Sequence, residues 1–365
     1  MMRDSVGGSR KISVLVVDDS AFMRKIIGDI LSAETDMEVI DFARNGKEAI
    51  EKARLKKPDI ITLDVEMPIM SGLDALKELM TIQPAPKVIM VSSLTTAGAD
   101  ATIRALELGA LDFIAKPTKS LFSFDSEGLK EDLLIKIRDL AASRSKISET
   151  IRREPIRTPL SKSDKSQGIV SGKLKYIIAI GTSTGGPRAL QEVIPVFPKD
   201  IPAAILIVQH MPPGFTKSLA ERLDSLSHVN VKEAQDGDVL KPGCAYLAPG
   251  DFHMVLNRIG NDDYRIELNK GPQVTGHRPS VNVMMDSVAG SVTTKNVIGV
   301  MMTGMGNDGS EGILKIKKTG GKTIAQDEDT CVVYGMPKAA VAAGAVDKIV
   351  PLQDITKEAL KFMGV

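Results

Sequence analysis

The sequence has no tryptophan, only two cysteines in 365 residues, and 4% aromatic residues. Cys244 and Cys331 stand far apart without a Cys-x-x-Cys spacing, which excludes a disulfide framework and a cysteine-ligated zinc site. An excess of one charge is also lacking. Because 47 basic residues face 46 acidic ones, no overall field draws the chain to nucleic acid or to an anionic membrane. No apolar run reaches the roughly 18 residues of a membrane span, and the opening stretch MMRDSVGGSRK has no apolar core of a secretory signal. The expectation is a cytoplasmic protein without membrane insertion or a nucleic-acid partner, whose partners must be argued from local sites.

What is present is a regular alternation of apolar strands and amphipathic helices, over a length that suggests two domains. From residue 11 to 140 the strands read ISVLVV, MEVIDFA, DIITLDV, KVIMVSS and LDFIAK. Helical spacing lies between them over Phe22–Leu31, Lys47–Leu55, Gly72–Met80 and Ala99–Leu108, and in a last set ending at Leu140. Five strands and five helices predict a parallel sheet covered on both faces. Residues 141–172 lose all periodicity and hold seven basic against three acidic residues, a composition that predicts a solvated linker. Residues 173–365 start a second run with YIIAIGTS, AAILIVQHM, CAYLAP, VIGVMMTGM and KTIAQ. The pair DFHMVLN and YRIELN adds a hairpin, so this domain is predicted to be mainly parallel α/β with an antiparallel addition.

In the first domain VLVVDDS places Asp18 and Asp19 at the carboxyl end of the first strand, and DIITLDVEMP places Asp64 at the end of a later one. Open α/β sheets bind ligands at those ends. Carboxylates gathered there repel, and a hard cation such as Mg²⁺ relieves them. The Asp-Asp pair alone fits a solvated turn better, and it is the other positions that change that reading. Ser92 and Lys116 end two further strands, and a carboxylate, a cation, a hydroxyl and an ammonium together suit a phosphoryl group carried on Asp64. These residues, in this order, resemble the receiver domain of two-component response regulators. The resemblance implies a flavodoxin-like (βα)5 fold and phosphorylation at Asp64. It further implies Mg²⁺ on Asp19, Asp64 and the Glu66 carbonyl with help from Asp18, phosphate contact by Lys116, phosphate sensing by Ser92, and an aromatic switch at Phe113.

The second domain opens on GTSTGG, which fits the strand-to-helix context of a nucleophile elbow at Ser183. It fits a generic glycine-rich turn almost as well. A dinucleotide loop would need glycine where Ser183 stands, and a P-loop would need a Lys-Ser or Lys-Thr pair that is missing. A serine nucleophile requires a base. Among four histidines, His210 ends the strand AAILIVQH, at the same sheet edge as Ser183, whereas His228, His253 and His277 lie in a polar stretch, a hairpin and a loop. For the orienting acid, Asp308 follows a third strand in TGMGNDG, with a helix N-cap as the lesser alternative. Met305 in the same turn is placed to offer an N–H to an oxyanion.

The order Ser, His, Asp departs from that of α/β-hydrolases. Instead IGTSTGGP, QHMPPGFT, LAPGDFHM and TGMGNDG resemble, in order, the signature segments of the bacterial chemotaxis protein-glutamate methylesterases. Thr182 is a departure, at a position where Ala is frequent. That resemblance implies a doubly wound catalytic domain that hydrolyses γ-glutamyl methyl esters on methyl-accepting chemotaxis receptors and deamidates selected glutamines. It implies a triad of Ser183, His210 and Asp308 with no cofactor, and phosphorylation of the receiver by a chemotaxis histidine kinase. Thr184, His277 and Arg278 are further candidates for shaping the substrate site. The fusion suggests that the receiver represses the esterase until phosphorylated. A phosphorylation-gated binding protein without hydrolase activity is the rival expectation.

Overall fold

A computed structural model describes residues 10–117, 126–143, 173–260, 263–292 and 295–365. Most of the predicted linker therefore lies outside the described residues. The chain folds as two compact units.

In the first unit the strands β1 (Ile12–Val17), β2 (Met37–Ala43), β3 (Ile60–Asp64), β4 (Lys87–Ser92) and β5 (Asp112–Ala115) pair in the order β2-β1-β3-β4-β5, all parallel. Nearly every residue of β1, β3 and β4 is buried, as a parallel sheet with both faces covered requires. Helices Ala21–Ser32, Gly46–Lys56 and Gly72–Leu79 start at Ser20, Asn45 and Ser71, whose side chains accept an N–H from the first turn. Helices Thr96–Leu108 and Ser126–Ala142 follow β4 and β5. The chain leaves β1 toward β2 on one side and returns to β3 on the other, so a crevice opens at the carboxyl ends of β1 and β3.

The second unit is a seven-stranded parallel sheet. It comprises β6 (Tyr176–Thr182), β7 (Ala203–Gln209), β8 (Asn230–Glu233), β9 (Cys244–Leu247), β12 (Val297–Met301), β13 (Lys322–Gln326) and β14 (Lys348–Val350), in the order β14-β13-β12-β6-β7-β9-β8. The hairpin of β10 (His253–Arg258) and β11 (Tyr264–Asn269) forms where alternation predicted it. Two edge strands, β8 and β14, escaped the sequence reading because they are only four and three residues long and largely unburied. Here the direction of winding reverses between β6 and β12, which sets a second crevice at their carboxyl ends. Val281, Met284, Met285 and Val288 of the helix Val281–Ser291 are buried in the core beside Ile177, Ala179 and Leu206 of β6 and β7.

Candidate functional sites

In the first unit the register aligns Asp64 with Val91 and Ser92 with Ala115, so Asp18, Asp64, Ser92 and Lys116 all emerge at one edge. Oxygens of Asp18, Asp19 and Asp64 lie within 4.8 Å of one another. Lys116 Nζ stands 2.9 Å from Asp18 Oδ2 and 2.8 Å from Asp64 Oδ2. Those contacts are ion pairs without hydrogen-bond alignment, because neither oxygen has a hydrogen-bond partner among the described residues. Burial, and then the charge of Asp18, push the Asp64 carboxyl up to about 6 against the pull of Lys116. Two buried carboxylate oxygens that lack hydrogen bonds, beside a third exposed carboxylate, are the donor set a hard divalent cation fits. Glu66 is exposed, and its N–H reaches Asp64 Oδ1 at 3.4 Å. Ser92 is fully buried, and its carbonyl accepts the Lys116 N–H at 2.6 Å. Phe113 is buried with the Lys136 ammonium 5.3 Å from its ring centroid. Arg24, which the sequence reading passed over, donates from one nitrogen to the carbonyls of both Asp18 and Asp19 and fixes the acidic turn.

In the second unit Ser183 follows β6, His210 follows β7 and Asp308 lies in the turn after β12. His210 Nε2 lies 2.8 Å from Asp308 Oδ2. Burial alone would raise the Asp308 carboxyl, but the His210 hydrogen bond and charge, the Val281 N–H and the Ser280 hydroxyl outweigh it and hold it at about 2. An ionised carboxylate only accepts, so the histidine proton sits on Nε2 and Nδ1 is the basic nitrogen. That Nδ1 is buried and has no partner among the described residues.

The alternative of an N-cap by Asp308 takes an unexpected form. Its own helix, Ser310–Lys318, starts at Gly309 without a side-chain cap. Asp308 instead faces the start of the helix Val281–Ser291, accepting from Ser280 Oγ at 2.8 Å, Val281 N at 2.7 Å and Asn282 N at 3.1 Å. The N-terminal dipole of that helix favours the charged form.

Ser183 is held by its backbone: its N–H donates to Thr303 O at 3.0 Å and its carbonyl accepts from Gln209 Nε2 at 3.0 Å. Gln209 also donates to His210 O, so one buried amide ties the Ser183 and His210 strand ends together. Thr303 makes further bonds: its Oγ1 donates to Thr184 O and its N–H donates to Gln326 Oε1. Thr182 is accommodated because its hydroxyl donates to Thr303 O at 2.9 Å. Gly304 must be glycine, since a Cβ there would stand 2.4 Å from Met336 Sδ and 2.9 Å from Ser183 Cβ. Met305 follows it, half-buried, and no backbone acceptor among the described residues takes its N–H. Gln209, Ser280, Thr303 and Gln326 went unread in the sequence; only the position of Gln209, beside a strand-end histidine, offered a signal.

Of the other histidines, His253 is a buried brace between Pro272 O and Ser280 N, and His228 is exposed. His277, placed in a loop by the sequence, stacks its ring on His210 with centroids 3.7 Å apart. Arg278 turns to Asp251, its Nε 3.0 Å from Oδ1.

Among the described residues no helix is long and apolar enough to cross a membrane. Residues 178–359 match the CheB methylesterase family, and residues 14–121 match the response regulator receiver domain. A protein of Pyrococcus horikoshii named protein-glutamate methylesterase/protein-glutamine glutaminase is 50% identical, over 96% of this chain and 94% of its own length. A protein of Syntrophomonas wolfei, named protein-glutamate methylesterase/protein-glutamine glutaminase 1, is 48% identical over 96% and 99%. The solved catalytic domain of Thermotoga maritima CheB methylesterase is 48% identical, with a TM-score of 0.49, over 52% of this chain and 98% of that one.

Proposed function

The chain belongs to the CheB methylesterase family, and we propose that it is a cytoplasmic, phosphorylation-regulated protein-glutamate methylesterase and protein-glutamine glutaminase acting on chemotaxis receptors. The observation that carries this reading is the 2.8 Å pair of His210 and Asp308 at the sheet edge where Ser183 emerges. Ser183 Oγ attacks the γ-acyl carbon of a methylated glutamate while His210 Nδ1 takes its proton. Asp308, fixed by Ser280, Val281 and Asn282, holds Nε2–H and stabilises the imidazolium. The Met305 N–H donates to the oxyanion that forms on the acyl oxygen. As the tetrahedral adduct collapses, His210 returns the proton to departing methanol, or to ammonia from a glutamine. Water, deprotonated by the same Nδ1, then releases glutamate and free Ser183.

In the receiver, Asp64 accepts a phosphoryl group from a chemotaxis histidine kinase, with Lys116 contacting it and Ser92 and Phe113 sensing it. Asp19, Asp64 and the Glu66 carbonyl, with Asp18, would hold Mg²⁺, which supplies charge neutralisation for the incoming phosphoryl group. Residues 11–140, 141–172 and 173–365 are assigned as receiver, linker and catalytic domain.

The test is methanol release from methylated receptor. Ser183→Ala should abolish it while leaving receptor binding intact, and the wild type should respond to a small-molecule phosphodonor where Asp64→Asn does not. Undiminished release by Ser183→Ala, or no release by the wild type, defeats the reading.

A further inference from the structure

His277 has no part in the mechanism above, yet its ring lies against the imidazole on which that mechanism turns. The two rings are 3.7 Å apart between centroids and inclined by only 16°. Resting on the proposed hydrolase reading, we propose that His277 is a positioning residue. Its ring holds the His210 imidazole in the plane that keeps Nε2 on Asp308 and leaves Nδ1 facing the nucleophile.

The stack is built rather than incidental. Val274 and His277 exchange both backbone hydrogen bonds, at 3.1 and 3.0 Å, closing a two-residue turn over Thr275 and Gly276 with φ of 51° and 80°. Both central residues are thus left-handed, the geometry of a tight primed turn. The residue after His277 anchors that turn: Arg278 Nε bonds Asp251 Oδ1 at 3.0 Å, its Nη1 bonds Gly271 O at 2.8 Å, and its carbonyl accepts the Asp251 N–H at 3.1 Å. Two residues after Arg278, Ser280 Oγ bonds Asp308 Oδ1, followed by the Val281 and Asn282 N–H groups. One short segment, residues 277–282, therefore grips both halves of the pair, the face of His210 and the carboxylate of Asp308.

The orientation of His210 makes such a support necessary. Asp308 holds the ring at Nε2, remote from Cβ, and Nδ1 has no partner among the described residues. One edge contact fixes a point but not a plane. Rotation about that contact would swing Nδ1 out of its position, and an aromatic face at stacking distance resists it. During turnover the ring becomes imidazolium, and the π-face of His277 then stabilises it as well.

The experiment measures kcat and KM for methanol release from methylated receptor, over a range of pH, with the full chain carrying His277→Ala or His277→Phe and with Ser183→Ala as control. Expected is a fall in kcat of roughly tenfold or more for His277→Ala with KM little changed, the size of a lost stacking and cation–π contact. His277→Phe should recover most of the loss, because a flat ring suffices. Wild-type kcat in His277→Ala, an effect on KM alone, or Phe no better than Ala in chains of unchanged thermal midpoint would overturn the proposal. If Ser183→Ala itself still releases methanol, the hydrolase reading has failed instead.

Discussion

Replacing Asp64 by Asn should stabilise the receiver unit at neutral pH, because its carboxylate is held where a charge is costly. The side chain is almost wholly buried, and burial with the neighbouring Asp18 lifts its carboxyl from 3.8 to about 6 despite Lys116. At about 1.4 kcal/mol for each unit, the ionised form costs the folded state about 3 kcal/mol. Folding raises this acid's affinity for its proton, so the cost is absent below about pH 4, where both states are protonated. It grows as pH rises toward 6 and is complete above that. Asp64→Asn removes it, and the gain at pH 7 should approach 3 kcal/mol, a rise in the receiver's thermal midpoint on the order of 10 °C. Calorimetry of the full chain with EDTA, from pH 3.5 to 8, follows this. Mg²⁺ should then raise the wild-type midpoint and leave that of Asp64→Asn unmoved. Equal midpoints at pH 7, or a gain that grows as pH falls, would refute the reasoning.

Two further perturbations address the second unit. Asp308→Asn keeps the shape but offers an amide where Nε2–H needs a carboxylate, so kcat should drop by roughly 10³–10⁴ with KM nearly unchanged; a loss below tenfold in steady-state methanol release would deny Asp308 its role. The same carboxyl, held at about 2 against 3.8, contributes stability that is present above pH 4 and lost as pH falls through 2, on the order of 2–3 kcal/mol; acid unfolding of Asp308→Asn should lack that component. Gly304→Ala pushes a methyl into Met336 Sδ and Ser183 Cβ, so it should cost about 1–3 kcal/mol by urea unfolding and much of the activity. A fully active, equally stable Gly304→Ala would show that Ser183 is not held as described.

Much of this was legible in the sequence because it depends on local pattern. The period-2 and period-3.6 signals located the interior strands and the helices of the first unit, and strand ends leading to Asp18, Asp64, Ser183, His210 and Asp308 pointed to crevices. The residues that hold those groups were not legible. Ser280 Oγ, Gln209 Nε2 and Thr303 Oγ1 act through contacts with residues 28, 26 and 119 positions away in the sequence, and no spacing rule encodes such pairs. Asp308 was legible as a capping residue, but the helix start it faces is Val281–Ser291 rather than its own, a choice made by how two helices meet. His277 sat in a polar loop, and its ring gained significance only when the fold laid it on His210. The edge strands β8 and β14 were missed for a simpler reason: a strand of three or four half-exposed residues carries too little alternation to read.

The central claim is that Ser183 and His210 act as one unit in acyl transfer, and a double-mutant cycle on methanol release tests it most directly. Ser183→Ala, His210→Gln and the double variant are compared with the wild type at saturating methylated receptor. Groups that act together are non-additive, so either single change should abolish nearly all turnover and the double variant should be no slower than Ser183→Ala. Losses that multiply, with each single variant retaining substantial turnover, would contradict the account.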